Sequence, residues 1–144
     1  MTRLLVDTSV LIKWFHEPGE SEIPAARALR DAHVRGDLDA HILDLAVYEV
    51  GNVLVRALHW VAGDVADQLD DMLAITGPPM AMTQDWLRDA SALAEEYRLS
   101  FYDASWAATA AALGIALVSA DRRLVSAGLA ETPTAAAARL KLVT

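Results

Sequence analysis

The chain has 144 residues, 54% hydrophobic and 22% charged, which suffices for one sizeable core and excludes a disordered polymer or a fold that needs staples. It has no cysteine, so a disulfide scaffold, a thiol nucleophile and thiolate-ligated zinc are excluded, and its four histidines (His16, His33, His41, His59) form no close pair of the HxxxH kind. The formal net charge is −8; nucleic acid is not held through net charge, and chemistry on it needs a local basic patch, a divalent cation, or both.

Leu4-Leu5-Val6 is a short apolar run that predicts a buried strand. Asp7-Thr8-Ser9 follows, then a short helix over Val10 to His16, broken by Glu17-Pro18-Gly19-Glu20. Ser21 to Arg35 has helical spacing, with Ile23, Ala26, Leu29 and His33 on a common side and Gly36 as its stop. His41-Ile42-Leu43 predicts a second short strand. Leu45 to Leu58 is the clearest helix, with Ala46, Val50, Val53, Leu54, Ala57 and Leu58 on one apolar face, and Gly63 ends that region. Asp64 to Ile75 is a further helix closed by Gly77-Pro78-Pro79, and Met80-Ala81-Met82 is a small strand. Thr83 to Tyr97 is helical, with Trp86, Ala90, Leu93 and Ala94 inward, and Asp103 to Leu113 is helical and alanine-rich. Gly114 stops it before a buried strand, Ile115 to Val118, and a short helix, Asp121 to Ala127. The tail from Thr134 reads equally as helix or strand.

Strands alternate with helices, which predicts an α/β fold: a mostly parallel central sheet with helices on both faces, in three layers. No repeat, linker or charge block divides the chain, so the expectation is one domain over 1–144. No signal peptide is visible, and the uncharged stretch Ala104 to Ala120 falls short of the roughly 20 strongly apolar residues of a membrane span. A cytoplasmic protein with no membrane role is expected.

Carboxylates mark the chemistry. Asp7 directly follows the first strand, Asp121 follows the Ile115–Val118 strand, and Asp103 opens the helix that feeds that strand. Ligand sites of parallel sheets lie beyond the carboxyl ends of the strands, so Asp7 and Asp121 are placed to converge. Glu49 sits at the edge of an apolar helix face. Taken singly, each has an ordinary explanation: Asp7, Asp103 and Asp121 precede helices and suit an N-cap, and Glu49 suits a solvated helix charge. Together they would repel one another and raise their pKa values, which a hard cation relieves. All-oxygen ligation suits Mg²⁺ or Mn²⁺, and such an ion activates water and stabilises a phosphodiester in transition.

The motifs resemble those of PIN-domain proteins, specifically VapC-type toxin ribonucleases of type II toxin–antitoxin modules. Leu5-Val6-Asp7-Thr8-Ser9-Val10-Leu11-Ile12 matches the first acidic motif of that family. Tyr48-Glu49-Val50-Gly51-Asn52-Val53-Leu54 resembles the second, Leu99-Ser100-Phe101-Tyr102-Asp103-Ala104 the third and Val118-Ser119-Ala120-Asp121-Arg122-Arg123-Leu124 the fourth. The resemblance implies a PIN-like domain whose acidic residues Asp7, Glu49, Asp103 and Asp121 bind one or two Mg²⁺ or Mn²⁺ ions and hydrolyse single-stranded RNA, leaving 5′-phosphate and 3′-hydroxyl ends. It also implies a homodimer and a small antitoxin that places a basic side chain near the acidic site. Ser9 and Ser119 match hydroxyl positions that would steer a carboxylate or water; a capping or turn role explains them equally. Lys13, Arg122 and Arg123 lie near the motifs and could contact phosphates, although surface solubility explains each alone. Trp14 and Trp60 suit a partner surface, but core packing is the better reading of both.

Two other classes compete. A phosphoaspartyl phosphatase or receiver-like domain also starts with an aspartate after its first strand. The former wants a second aspartate where Ser9 stands, and the latter wants a lysine after a late strand, which neither Lys13 nor Lys141 provides. A non-catalytic binding module would have lost part of the acidic quartet, and none is lost.

Overall fold

Leu4, Leu5 and Val6 are wholly buried, as consecutive apolar residues are when helices cover both faces of a sheet. They belong to β1 (Thr2–Val6), the middle strand of a computed structural model that describes residues 1–144. β2 (Leu38–His41) and β3 (Ala116–Val118) flank it in the order β2-β1-β3, both parallel to it. Parallel neighbours require crossovers, and the helices supply them. Between β1 and β2 lie α1 (Thr8–Leu11), a tight turn over Ile12–Trp14, and α2 (Ile23–Arg35). Between β2 and β3 lie α3 (Leu45–Asn52), α4 (Ala62–Thr76), α5 (Gln84–Tyr97) and α6 (Phe101–Leu113). After β3 come α7 (Arg122–Ser126) and α8 (Pro133–Arg139). The three-layer α/β/α architecture follows.

Local chemistry explains the boundaries. Gly36 and Gly114 end α2 and α6 in the left-handed conformation, which glycine adopts without strain. Thr83, Ser100 and Thr132 cap α5, α6 and α8 with their hydroxyls. Ala104 to Ala110 of α6 are buried without interruption; the small alanines leave no polar face and let α5 pack closely.

Several boundaries differ from the sequence reading. The second strand is Leu38–His41, four residues whose alternation buries Leu38 and Ala40; Ile42 and Leu43 continue past it. Met80–Met82 is no full strand: Met80 makes one parallel bridge with Leu43, and the preceding Pro78-Pro79 removes two ladder donors. The helix predicted to Leu58 changes pitch after Asn52, with Leu58 N–H donating to Val53 five residues back. Gly63 does not end that region but lies in the first turn of α4. The tail is helical, since Thr132 caps it and Pro133 takes the first helical position, where its missing N–H costs nothing. His33 ties three elements: its Nδ1 accepts from Ala40 N–H (3.0 Å), and its Nε2 donates to the Ile75 carbonyl (2.7 Å).

No helix is long and apolar enough to cross a membrane. Trp14 is buried in the core, and Trp60 packs edge-on against Phe15 with ring centroids 6.2 Å apart.

Candidate active site

The β1–β3 register ends with Val6 opposite Val118, so Asp7 and Ser119 emerge side by side at the carboxyl end of the sheet. Asp7 N–H still donates to the Val118 carbonyl (3.2 Å). Asp7 then caps α1: its Oδ1 accepts from Val10 N–H (3.4 Å) and from the Ser9 hydroxyl (2.5 Å). Asp121 caps α7 in the same way, with Oδ1 accepting from Arg123 N–H (2.8 Å). Capping occupies one oxygen of each carboxylate and leaves the second free for another partner.

Asp103 departs from the sequence reading. Ser100 is the cap of α6, and its hydroxyl accepts from Asp103 N–H (3.1 Å). Asp103 is thus the third residue of the helix, within its first turn, where the helix dipole favours an anion. Glu49 sits midway along α3. Its Oε1 accepts from the Thr8 hydroxyl (2.9 Å) and from the Trp106 indole N–H (3.2 Å). These two donors escaped the sequence reading, although Thr8 lies inside the Asp-Thr-Ser motif.

The serines knit the site together. The Ser9 hydroxyl accepts from Ala120 N–H (2.9 Å) and lies 3.5 Å from the Ser119 hydroxyl, which accepts from Asp121 N–H (3.0 Å). Ser9 thus serves both strand ends, and Ser119 is wholly buried. Thr8, Asp7 and Ser9 are consecutive, so one continuous network joins Glu49, Asp7 and the backbone of Asp121.

Electrostatics pairs the acids. Burial pushes the Asp7 carboxyl up from 3.8 to about 6; hydrogen bonds from Ser119, Ser9 and Val10 oppose this, and the charge of Glu49 adds to it. Burial, then the charge of Asp121, also pushes Asp103 up, while Ser100 and Arg123 pull it partly back. Asp7 thus senses Glu49, and Asp103 senses Asp121. No three acidic or histidine side chains stand at a spacing that would ligate one ion. Thr8 and Trp106 hold Glu49, and Coulomb repulsion opposes closer approach of uncompensated carboxylates. The donor chemistry nonetheless fits a hard divalent cation: every donor is an oxygen, and Asp7 carries a buried carboxyl with no basic side chain bonded to it.

Lys13, read from the sequence as a possible phosphate contact, is 4% exposed, and its ammonium donates to Glu20 at 3.0 Å. It turned inward because the turn at Glu17-Pro18-Gly19 brings Glu20 back over α1's end. Arg122 and Arg123 are exposed and next to Asp121.

A family model for the PIN domain matches residues 4–129. Ribonuclease VapC3 of Pyrobaculum aerophilum is 32% identical over 128 residues, spanning 85% of this chain and 92% of that protein. The crystal structure of PAE2754 from Pyrobaculum aerophilum is similar with a TM-score of 0.69 and 28% identity over 97% of both chains. A toxin–antitoxin complex from Klebsiella pneumoniae contains a chain of the same fold, with a TM-score of 0.63 and 23% identity over 90% of this chain and 97% of that one. The alternating strands and helices, the acids at the strand ends and these likenesses agree: the chain belongs to the PIN-domain family, in the VapC-type branch.

Proposed function

We propose that this protein is a divalent-metal-dependent endoribonuclease and the toxin of a type II toxin–antitoxin pair, acting as a single domain over 1–144. The observation that carries this reading is the hydroxyl and backbone network that joins Glu49, Asp7 and Asp121 at the carboxyl ends of β1 and β3. The likeness to Ribonuclease VapC3 supports RNA as the substrate.

Asp7, Glu49, Asp103 and Asp121 would hold Mg²⁺ or Mn²⁺. A bound ion of this kind supplies Lewis acidity and lowers the pKa of a coordinated water. The chain's own residues do the rest. Burial raises the Asp7 pKa only to about 6, so near neutral pH Asp7 is mainly a carboxylate and would offer its oxygens to the cation. Thr8 and Trp106 fix the Glu49 carboxylate, and Ser9 and Ser119 fix Asp7 and the turn into Asp121. Arg122 and Arg123 face solvent beside Asp121, where phosphate oxygens of a strand entering the site would lie.

Net charge −8 and an uncompensated acidic site favour a partner with a basic segment. A small antitoxin of that kind and a homodimer belong to this reading, as does the cytoplasm, where such RNA is found. The phosphoaspartyl reading gains nothing from the structure: where it wants a second aspartate, Ser9 stands with its hydroxyl bonded to Asp7, and Lys13 is paired with Glu20. Mapping of product ends tests the chemistry. Water as nucleophile leaves 5′-phosphate and 3′-hydroxyl ends, whereas attack by the RNA 2′-hydroxyl leaves a 2′,3′-cyclic phosphate and contradicts the mechanism.

A further inference from the structure

A cavity of about 290 Å³ shares the turn that carries Asp121: Ala120 and Arg122 both line it. That is the small end of the range for ligand pockets. Hydrogen bonds tie this wall to the acids. Ala120 N–H donates to the Ser9 hydroxyl (2.9 Å), and that hydroxyl donates to Asp7. The wall is therefore two hydrogen bonds from the Asp7 carboxylate. Ser126 of α7 extends it, Ser21 and Glu22 enter from the turn before α2, and Thr132 enters from the cap of α8.

The lining has a donor side and an acceptor side. Thr134 donates to Glu22 Oε1 through its N–H (3.2 Å) and its hydroxyl (2.6 Å), which fixes the carboxylate and leaves Oε2 without a partner in the fold. Arg122 takes part in none of the five ion pairs. Guanidinium and carboxylate thus line one cavity without meeting. Thr132 uses its oxygen to accept from Ala135 N–H and keeps its own proton to donate. A ligand for this space carries an anion and a hydroxyl donor close together. A lone phosphate would face Glu22 with like charge and nothing to give it. A ribonucleotide within a strand has both groups: its phosphate accepts from a guanidinium, and its 2′-hydroxyl, the one sugar donor not esterified, can donate to a carboxylate.

Resting on the ribonuclease reading, we propose that this cavity seats one ribonucleotide of the strand beside the cut phosphodiester, with Arg122 on its phosphate and Glu22 Oε2 accepting from its 2′-hydroxyl. Glu22 then selects RNA over DNA, and Arg122 supplies affinity that either sugar shares. Both residues bind the strand and take no part in bond breaking.

The test uses a short single-stranded RNA with Mn²⁺, and the same RNA with a single 2′-deoxy sugar at each nucleotide near the mapped cut in turn. The native chain is compared with Glu22→Gln, Glu22→Ala and Arg122→Ala, each shown to be folded by its melt; Gln keeps an oxygen for Thr134 and replaces the free acceptor by a donor. A second arm measures binding of labelled RNA and DNA of one sequence by fluorescence anisotropy. The expected result is one position where the deoxy sugar raises the native KM about tenfold with kcat nearly unchanged. Both Glu22 variants bring that ratio toward one, and Arg122→Ala raises KM about tenfold for both sugars and leaves the ratio alone. No sensitive position in the native chain, or a ratio that survives both Glu22 substitutions, overturns the proposal. A deoxy effect on kcat alone also overturns it and marks the 2′-hydroxyl as a reacting group. A Glu22-dependent preference for binding RNA, without cleavage, keeps the subsite and overturns the ribonuclease reading. A folded native chain that neither cuts nor binds RNA overturns both.

Discussion

Replacing Asp7 by Asn isolates the cost of the buried carboxylate. Asp7 is 4% exposed, and its folded-state pKa is about 6 against 3.8 for the free group. Between those values the folded state holds a proton that the unfolded state has lost, so stability falls as pH rises through that window. Above about pH 6 the penalty is complete. Two pKa units at 1.36 kcal/mol each give about 3 kcal/mol. Asn keeps the capping oxygen for Val10 N–H and the Ser9 hydroxyl and carries no charge. In EDTA at pH 8, Asp7→Asn is therefore expected to be more stable than the native chain by up to about 3 kcal/mol, or a Tm rise of about 5–10 °C for a chain of this size. At pH 4, where native Asp7 is mostly protonated in the folded state, the gain shrinks toward zero. Paired melts followed by circular dichroism at the two pH values measure it. Destabilisation at pH 8, or the same gain at both pH values, would refute the burial argument.

Other outcomes follow from the same geometry. Saturating Mn²⁺ stabilises the native fold, by about 2.7 kcal/mol at a hundredfold excess over Kd, and Asp7→Asn or Asp103→Asn reduces that rise in a thermal-shift measurement. Thr8→Val and Trp106→Phe each remove one donor to Glu49, and cleavage kinetics or Mn²⁺ titration should show a loss of about tenfold or more. Lys13→Met breaks the buried pair with Glu20; urea unfolding should show a cost of about 1–3 kcal/mol while KM for RNA stays the same. Arg123→Ala should raise KM and lift the Asp103 pKa further, visible as an upward shift of the acid limb of the pH–rate profile.

What the sequence carried most clearly was local. An apolar run ending in Asp7-Thr8-Ser9 gives a strand, a turn and a cap within a few residues, and Gly36 and Gly114 stop helices by backbone geometry alone. The motif spacing singled out Asp7, Glu49, Asp103 and Asp121, and the structure sets Asp7 and the Asp121 backbone at the adjoining ends of β1 and β3. Sequence could not place the donors to Glu49, because Thr8 and Trp106 are 41 and 57 residues away and meet it only once the sheet and α6 are assembled. The pairing of Lys13 was hidden for a related reason: its partner Glu20 lies across a turn. Ser100 outcompeted Asp103 as the cap of α6 because the chain enters that helix two residues earlier than the alanine run suggests. Apolar residues at Ile42 and Leu43 looked like a strand, yet the ladder with β1 is made by the alternating Leu38–His41.

The most direct test of the central claim is cleavage of total tRNA and ribosomal RNA by the purified, partner-free protein, with Mg²⁺, Mn²⁺ or EDTA, beside folded Asp7→Asn and Asp103→Asn. Discrete cuts that need the metal and vanish in both variants are the predicted result. Cuts that persist in EDTA or in both variants, or no cuts by a folded native chain on any of these RNAs, would contradict it.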